Sequence, residues 1–330
     1  MEPINQFTGT GLDPLNQAAS QELLHRLSST MPNVDLTWFN HFLSVFFDHD
    51  KAKYVQEAAA GVHLTTTMSL AFEFVRKGLS IKTYFAPRKV GQKGLMPLAE
   101  WEHAIAQLDP ANEARAILHE FLETSAEGKT LNPFMLAVDN VKPEASRMKF
   151  YFQCPKTSFE SVRNIMTLGG RITGIDEQLK DLHQLIKAIS WLPEDFPEDA
   201  EVPAAEHYNP SAKENFVELP ILLSGYLYYF DIAPGAKKPE IKFYTPVRRY
   251  GRDDLSLAKG IIGWMESKGR GAYCQRYLSM LESLAEHRRL DEGQGVQTYV
   301  SCLFKKSGEL DITTYLAPEA FHPIRLANSK

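Results

Sequence analysis

Cysteine is scarce in this chain of 330 residues: Cys154, Cys274 and Cys302 are far apart, odd in number and form no C-x-x-C pair. That excludes a disulfide framework, gives no support to a structural zinc site and points to a reducing compartment. The stretch MEPINQFTGTG contains neither a basic nor an apolar signal region, and the most apolar later run, LPILLSGYLYYFDIA at 219–233, is short and broken by Ser, Gly and Asp. A cytoplasmic protein without membrane attachment is expected. Positive charge is not in excess, with 36 Lys and Arg against 41 Asp and Glu and a net charge of -5, so no nucleic-acid partner is expected. Any anion site has to be built locally from a few basic residues.

The composition, 44% hydrophobic, 23% charged and 11% aromatic, supplies a core and rules out a coiled coil, a collagen-like chain or a disordered tail. Periodicity reads helix, helix, strand, strand four times over. The first helix pair is DPLNQAASQELLHRL, with Asp13 as N-cap and Pro14 at the first helical position, and DLTWFNHFLSVFF, with an apolar stripe of Leu36, Phe39, Phe42, Leu43 and Phe46. A hairpin follows, from TTTMSLAFEFV through a turn at Gly78 to LSIKTYFAP. The second unit has helices near 98–107 and 113–124 and strands PFMLAVDNV and SRMKFYFQCP. In the third, helices at 158–168 (ended by Gly169) and 176–190 precede strands LLSGYLYYFDIA and PEIKFYTPV. The fourth has helices at Asp253–Lys268 (stopped by Gly269) and 272–286, then VQTYVSCLFKK and LDITTYLAP. The Pro- and Glu-rich stretch about 192–219 reads as an exposed loop inserted into one domain spanning 1–330.

The second strand of every hairpin repeats one register: Lys82-Thr83-Tyr84, Lys149-Phe150-Tyr151, Lys242-Phe243-Tyr244 and Thr313-Thr314-Tyr315. Residues i and i+2 of a strand share a face, so each Lys lies beside its Tyr while the intervening Thr or Phe faces the other way. Helices arriving in pairs cover one face, and Ile81, Phe85, Met148, Phe150, Phe152, Ile241 and Phe243 suit it. Antiparallel hairpins repeating in this way can close into a barrel whose lumen receives Lys82, Arg147, Lys149 and Lys242 with the tyrosines. The alternative is a sheet whose Lys-rich face is solvated. Recurrence of Tyr at one register, joined by Tyr226, Tyr228 and Tyr299 on the first strands, favours the lumen.

Fixed cations hold a diphosphate without a metal ion or other cofactor, and tyrosine faces hold a carbocation. Together they suit ionisation of an allylic diphosphate with water excluded. The metal-dependent route to that ionisation uses D-D-x-x-D, whereas the only adjacent pair here, Asp253-Asp254, precedes Leu255 and Ser256 and reads as a helix cap. Gly169-Gly170 is a helix stop, since no strand precedes it. His63 and His207 read as non-catalytic, and Arg248 and Arg249 as rim residues.

DPLNQ, KTYFAP, SRMKFYFQCP, IKFYTPVRRYGRDD and QTYVSCLFKKSGELDITTYLAPE resemble the fungal aromatic prenyltransferases of the dimethylallyltryptophan synthase type, over essentially the whole chain. The resemblance implies an α+β fold, an antiparallel β-barrel of ααββ repeats ringed by helices. It implies transfer of a dimethylallyl group from its diphosphate to an aromatic small molecule in secondary metabolism, by a monomer or homodimer. It assigns the prenyl diphosphate to Lys82, Arg147, Lys149 and Lys242, and a tyrosine shield to Tyr84, Tyr151, Tyr244, Tyr299 and Tyr315. The family's proton-accepting glutamate and a further diphosphate arginine lie on a segment that precedes Met1-Glu2-Pro3. The resemblance therefore leaves the catalytic residue unassigned and leads us to expect a truncated chain, with four of five hairpins, weak transfer and some hydrolysis. Phe134 stands where tryptophan-using relatives carry an arginine for the amino-acid carboxylate. This implies an indole alkaloid or cyclic dipeptide as acceptor, with a fused-ring polyketide, or a barrel that only binds its ligand, as alternatives.

Overall fold

The computed structural model describes residues 13, 15–48, 50–59, 66–76, 78–89, 92, 95–206, 224–319 and 322–328. Met1-Glu2-Pro3, Pro14, His63, His207 and the loop beyond Glu206 lie outside them. In chain order the elements are α1 (Ala18–Ser28), α2 (Thr37–Phe46), α3 (Lys51–Ala59), β1 (Met68–Val75) and β2 (Gly78–Phe85). Then come α4 (Leu98–Leu108), α5 (Glu113–Thr124), β3 (Asn132–Asp139), β4 (Met148–Cys154), α6 (Phe159–Met166) and α7 (Asp176–Ser190). The last are β5 (Tyr226–Ile232), β6 (Glu240–Pro246), α8 (Val247–Tyr250), α9 (Asp254–Ser267), α10 (Cys274–Leu284), β7 (Gln297–Phe304), β8 (Leu310–Leu316) and α11 (Pro323–Asn328). The strands form one eight-stranded sheet in the order β1 to β8. Strand neighbours in sequence are thus neighbours in space, as short hairpin connections dictate.

The expected repeat is present, with one addition: α3 stands between the first helix pair and its hairpin. The first helix starts at Ala18, later than its sequence suggested, yet Asp13 still serves it, because its carboxylate accepts from the N–H groups of Gln17 (3.0 Å) and Ala18 (2.8 Å). At the other expected cap, Asp253 accepts from Ser256 N at 2.8 Å and opens α9, supplying an acceptor to one of the orphan donors of that helix. Gly169, Gly170 and Gly269 have φ of +64°, +88° and +68°, the left-handed conformation that ends a helix at least cost in a residue without Cβ.

By contacts the chain divides into two compact units. The first holds α1 to α4, β1 to β3, β4 as far as Phe152 and β5 from Tyr229. Its sheet is antiparallel where β1 meets β2 and β2 meets β3, with Lys82 opposite Asp139 and Thr83 opposite Val138. Helix α2 carries Trp38, Phe39, Phe42, Leu43 and Phe46 on one buried stripe. Phe39, Phe42 and Phe46 stand 5.8 to 6.0 Å from the ring of Phe85, so α2 covers the Ile81, Thr83 and Phe85 face of β2. Each such fully buried ring contributes about 1.5–3 kcal/mol. Lys82 and Tyr84 therefore point to the opposite face.

The second unit holds α6 to α11 and β6 to β8. Strands β6, β7 and β8 pair antiparallel, with Tyr244 opposite Ser301, Ser301 opposite Thr313 and Tyr299 opposite Tyr315. Phe243 and Cys302 are opposite each other on the other face. The stretch 191–206 is irregular, as expected of a loop, but it is tied down at its far end. Thr157 N and Oγ1 both donate to Glu201 (2.5 and 2.7 Å), Val202 N donates to Thr157 Oγ1 (2.9 Å), and Glu160 N donates to Glu198 O (2.9 Å). These contacts satisfy donors at the start of α6. Among the described residues no helix is long and apolar enough to cross a membrane.

Candidate active site

In the first unit, β2, β3, β4 and β5 bring three of the expected cations onto two carboxylates. Lys149 Nζ donates to Asp139 Oδ1 at 3.2 Å, Arg147 Nε to Asp139 Oδ2 at 2.9 Å, and Arg147 Nη1 to Asp231 Oδ2 at 3.0 Å. Lys82 Nζ is 4.0 Å from Asp139 Oδ1 and 2.9 Å from Glu73 Oε2. The two lysines are withdrawn from solvent, the Lys149 side chain 6% exposed and that of Lys82 14%, while Arg147, at 40%, stands at the edge of the cluster. Burial opposes ionisation of Asp139, but Lys149, Arg147 and Lys82 outweigh it and hold the carboxyl below its ordinary range. For Lys149 the balance goes the other way: burial, with Lys82 and Arg147, lowers the amine below the ordinary lysine value against the pull of Asp139 and Asp231. Burial also works against the Arg147 guanidinium, and Asp231 and Asp139 overcome it, so its pKa is raised.

Aromatic rings stand beside these cations. Tyr151 lies 5.9 Å from Tyr84, 5.3 Å from Tyr229 and 6.0 Å from Phe134, the last two edge-on. Lys149 Nζ sits 5.9 Å from the centre of the Tyr229 ring, which contributes a cation–π attraction.

The second unit repeats the theme. Lys242 Nζ donates to Thr313 Oγ1 (3.4 Å) and Tyr315 Oη (3.5 Å) and lies 5.6 and 5.8 Å from the ring centres of Tyr244 and Tyr315. Tyr315 Oη donates to Tyr244 Oη at 3.5 Å, and Tyr299 meets Tyr315 edge-on at 6.3 Å. Thr313 occupies the repeat position held by Lys in the other hairpins, which is why it reaches the lysine rather than competing with it. Arg248 donates to Gly295 O at 3.1 Å and Arg249 lies over the Tyr250 ring at 5.4 Å.

Two tyrosines expected on the cationic face are not there. Tyr226 and Tyr228 pack on Phe243, at 4.9 and 5.5 Å, and are wholly buried on the apolar face. The segment YLYYFDI carries tyrosine at both parities, and pairing of Phe230 with Phe152 at 5.6 Å settles which parity is covered. Tyr229 and Asp231 take the other face, and neither was anticipated. The Tyr226 and Tyr228 hydroxyls have no hydrogen-bond partner among the described residues, and burial drives their ionisation well above the ordinary tyrosine range. Changing either to phenylalanine is expected to leave the transfer rate within about twofold and stability unchanged or higher by up to about 1 kcal/mol. Steady-state assays and thermal unfolding check this, and a tenfold loss of rate would return them to the site.

Asp139, Asp231 and Glu73 were also missed. The available signal was the principle that buried lysine and arginine are paired, which asks for carboxylates in the neighbouring strands AVDN and FDIA. Cys154 and Cys302 lie at the parity of Phe152 and opposite Phe243, on the apolar face, and burial raises both thiols.

In each unit, cations with donors to spare stand beside tyrosine rings in tilted or edge-on contact, groups of the kind that can hold a diphosphate and shelter a carbocation. The fold is that of the aromatic prenyltransferase barrel. A family model described as tryptophan dimethylallyltransferase matches residues 1–280. A prenyltransferase of Penicillium roqueforti, anuH, is 62% identical over 330 residues, covering all of this chain and 73% of that protein. Xanthone prenyltransferase A of Emericella nidulans is 46% identical over 96% of this chain and 74% of its own length. The crystal structure of AnaPT from Neosartorya fischeri superposes with a TM-score of 0.76 at 24% identity, over 96% of this chain and 73% of that one. The chain belongs to the tryptophan dimethylallyltransferase family and is a fungal aromatic prenyltransferase of secondary metabolism.

Proposed function

We propose that the protein transfers a dimethylallyl group from dimethylallyl diphosphate to a phenolic, fused-ring acceptor, without a metal ion. Lys82, Arg147, Lys149 and Lys242 serve the diphosphate. As the C1–O bond breaks, its electron pair stays on the diphosphate oxygen, where these cations offset the developing charge. Tyr84, Tyr151, Tyr244, Tyr299 and Tyr315, joined by Tyr229, present ring faces to the allylic cation and keep water from it. The acceptor carbon then bonds to C1 and its proton leaves.

The observation that carries the acceptor class is Phe134, buried with its ring edge-on to Tyr151. An apolar ring at that place offers no partner to an amino-acid carboxylate, and burying an unpaired carboxylate is costly. Among acceptors without one, the xanthone-prenylating relatives at 46% and 44% identity favour a phenol over an indole. An indole alkaloid or cyclic dipeptide is the second reading, supported by the solved complex of NotF with brevianamide F. A single prenyltransferase-barrel domain over 1–330, working in the cytoplasm as monomer or homodimer, fits either.

The test is a panel of a hydroxyxanthone, a tryptophan-containing cyclic dipeptide and free tryptophan, each with dimethylallyl diphosphate in EDTA, read by mass spectrometry. The hydroxyxanthone is expected to be prenylated with kcat/KM at least about 100-fold above that of tryptophan, the scale on which a missing polar partner discriminates. Preference for tryptophan, or loss of all transfer in EDTA that magnesium restores, would overturn the reading.

A further inference from the structure

We propose that Asp139 is a positioning residue for the prenyl diphosphate: its carboxylate gathers Lys82, Arg147 and Lys149 into one set and keeps that set charged. This rests on the diphosphate reading above and adds to it a residue that never needs to touch the substrate.

The geometry is specific. Asp139 lies on β3 with Lys82 directly opposite it on β2, and on its other side β4 supplies Lys149, with Arg147 just ahead of that strand. Its two oxygens divide the work, Oδ1 accepting from Lys149 with Lys82 also near, and Oδ2 accepting from Arg147 Nε. Its backbone is pinned as well, for Asp139 O accepts from Ser146 Oγ at 2.7 Å and Val141 N at 2.9 Å. The carboxylate therefore cannot follow a wandering lysine, and the lysines must come to it.

An anion buried behind an anion site looks wasteful until the alternative is considered. Three like charges gathered in a patch whose two lysines are buried repel one another, and the group that yields is the one that can lose a proton. Arg147 cannot, but a buried lysine can. The groups facing Lys149 are Asp139 from β3, Lys82 from β2, Arg147 from the residue that precedes β4, and Asp231 with Tyr229 from β5. Of these, Asp139 is the carboxylate bonded to the amine. With it in place Lys149 holds its charge, and both lysines and Arg147 still have N–H donors for a diphosphate, since an ammonium carries three and a guanidinium five. Asp231 and Glu73 complete the balance by steadying Arg147 and Lys82.

Binding of inorganic diphosphate by calorimetry, and kcat/KM for dimethylallyl diphosphate from pH 6 to 10, would be measured on the 330-residue protein and on Asp139→Asn, Asp139→Glu and Lys149→Met. In Asp139→Asn, binding and kcat/KM are expected to fall about 10- to 100-fold, the range seen when partners that orient ligating side chains are lost. The alkaline fall of kcat/KM should move down by about one pH unit or more, and the acceptor KM should not change. Asp139→Glu should keep the wild-type alkaline limb and recover much of the affinity; should Asp139→Asn not fold, this limb and a reduced kcat carry the test. If Asp139→Asn binds diphosphate as tightly as wild type, or loses activity equally at every pH, while Lys149→Met has lost binding, the positioning role is wrong. If Lys149→Met binds diphosphate like wild type, the diphosphate reading itself fails.

Discussion

Exchange of Lys149 for methionine is expected to lower kcat/KM for dimethylallyl diphosphate by about 100- to 1000-fold, the loss that follows removal of one preorganised donor to developing charge. Methionine matches the lysine stem in volume and apolar character, so packing beside Tyr229 persists. Asp139 keeps Arg147 and Lys82 as partners, which spares the fold the penalty of an orphaned buried carboxylate. The acceptor KM should be unaltered. In the wild-type protein the Lys149 amine titrates below its ordinary value of 10.5. Its charge is complete at low pH and lost as pH rises through that lowered value. Diphosphate affinity should therefore decline on the alkaline side before any exposed lysine titrates, and the decline should be absent from the residual activity of the methionine variant. A pH series on both proteins checks this, and superimposable alkaline limbs would show that Lys149 is not the titrating group.

Removal of the Tyr315 ring gives the second large effect. Tyr315 joins Lys242, Tyr244 and Tyr299 through one hydroxyl and two ring contacts. Tyr315→Ala deletes a face offered to the cation, a contact of about 0.5–2 kcal/mol when desolvated, and admits water beside it. Transfer is expected to fall about 10- to 100-fold while release of dimethylallyl alcohol rises, so the ratio of prenylated product to alcohol drops further than the rate. Tyr315→Phe keeps the ring and loses only the hydroxyl's long hydrogen bonds, and its ratio should stay near wild type. Chromatography of both products from one reaction measures this; an unchanged ratio in Tyr315→Ala would remove Tyr315 from the shield.

The three K-x-Y registers, with Thr313-Thr314-Tyr315 in phase as a fourth, were legible because alternation along a strand is strict, and a face that pairs lysine with tyrosine stands out against Phe150 and Phe243 on the other. The same rule failed on YLYYFDI, where tyrosine at both parities erases the signal and only packing against Phe152 and Phe243 decides. The carboxylates escaped notice for a different reason. Asp139 and Asp231 are single acids in apolar strands, and their meaning appears only when the strand order places them beside Arg147 and Lys149. Helix α3 has no strong apolar stripe, so periodicity gave it no voice. Helix α1 began late because Asp13 caps from a distance, with Leu15, Asn16 and Gln17 outside the helix.

The placement of Cys154 and Cys302 bears on how long such a protein survives its own chemistry. An allylic cation is an alkylating agent, and a thiolate is among the strongest nucleophiles a protein can offer it. Both strand thiols lie on the face turned away from Tyr84, Tyr151, Tyr244 and Tyr315, and burial keeps them protonated. The pleat that directs lysine and tyrosine to one side thus directs sulfur to the other, so an escaping cation meets oxygen and aromatic carbon before it meets sulfur. A barrel built from these hairpins is guarded against self-alkylation by the two-residue period of its strands.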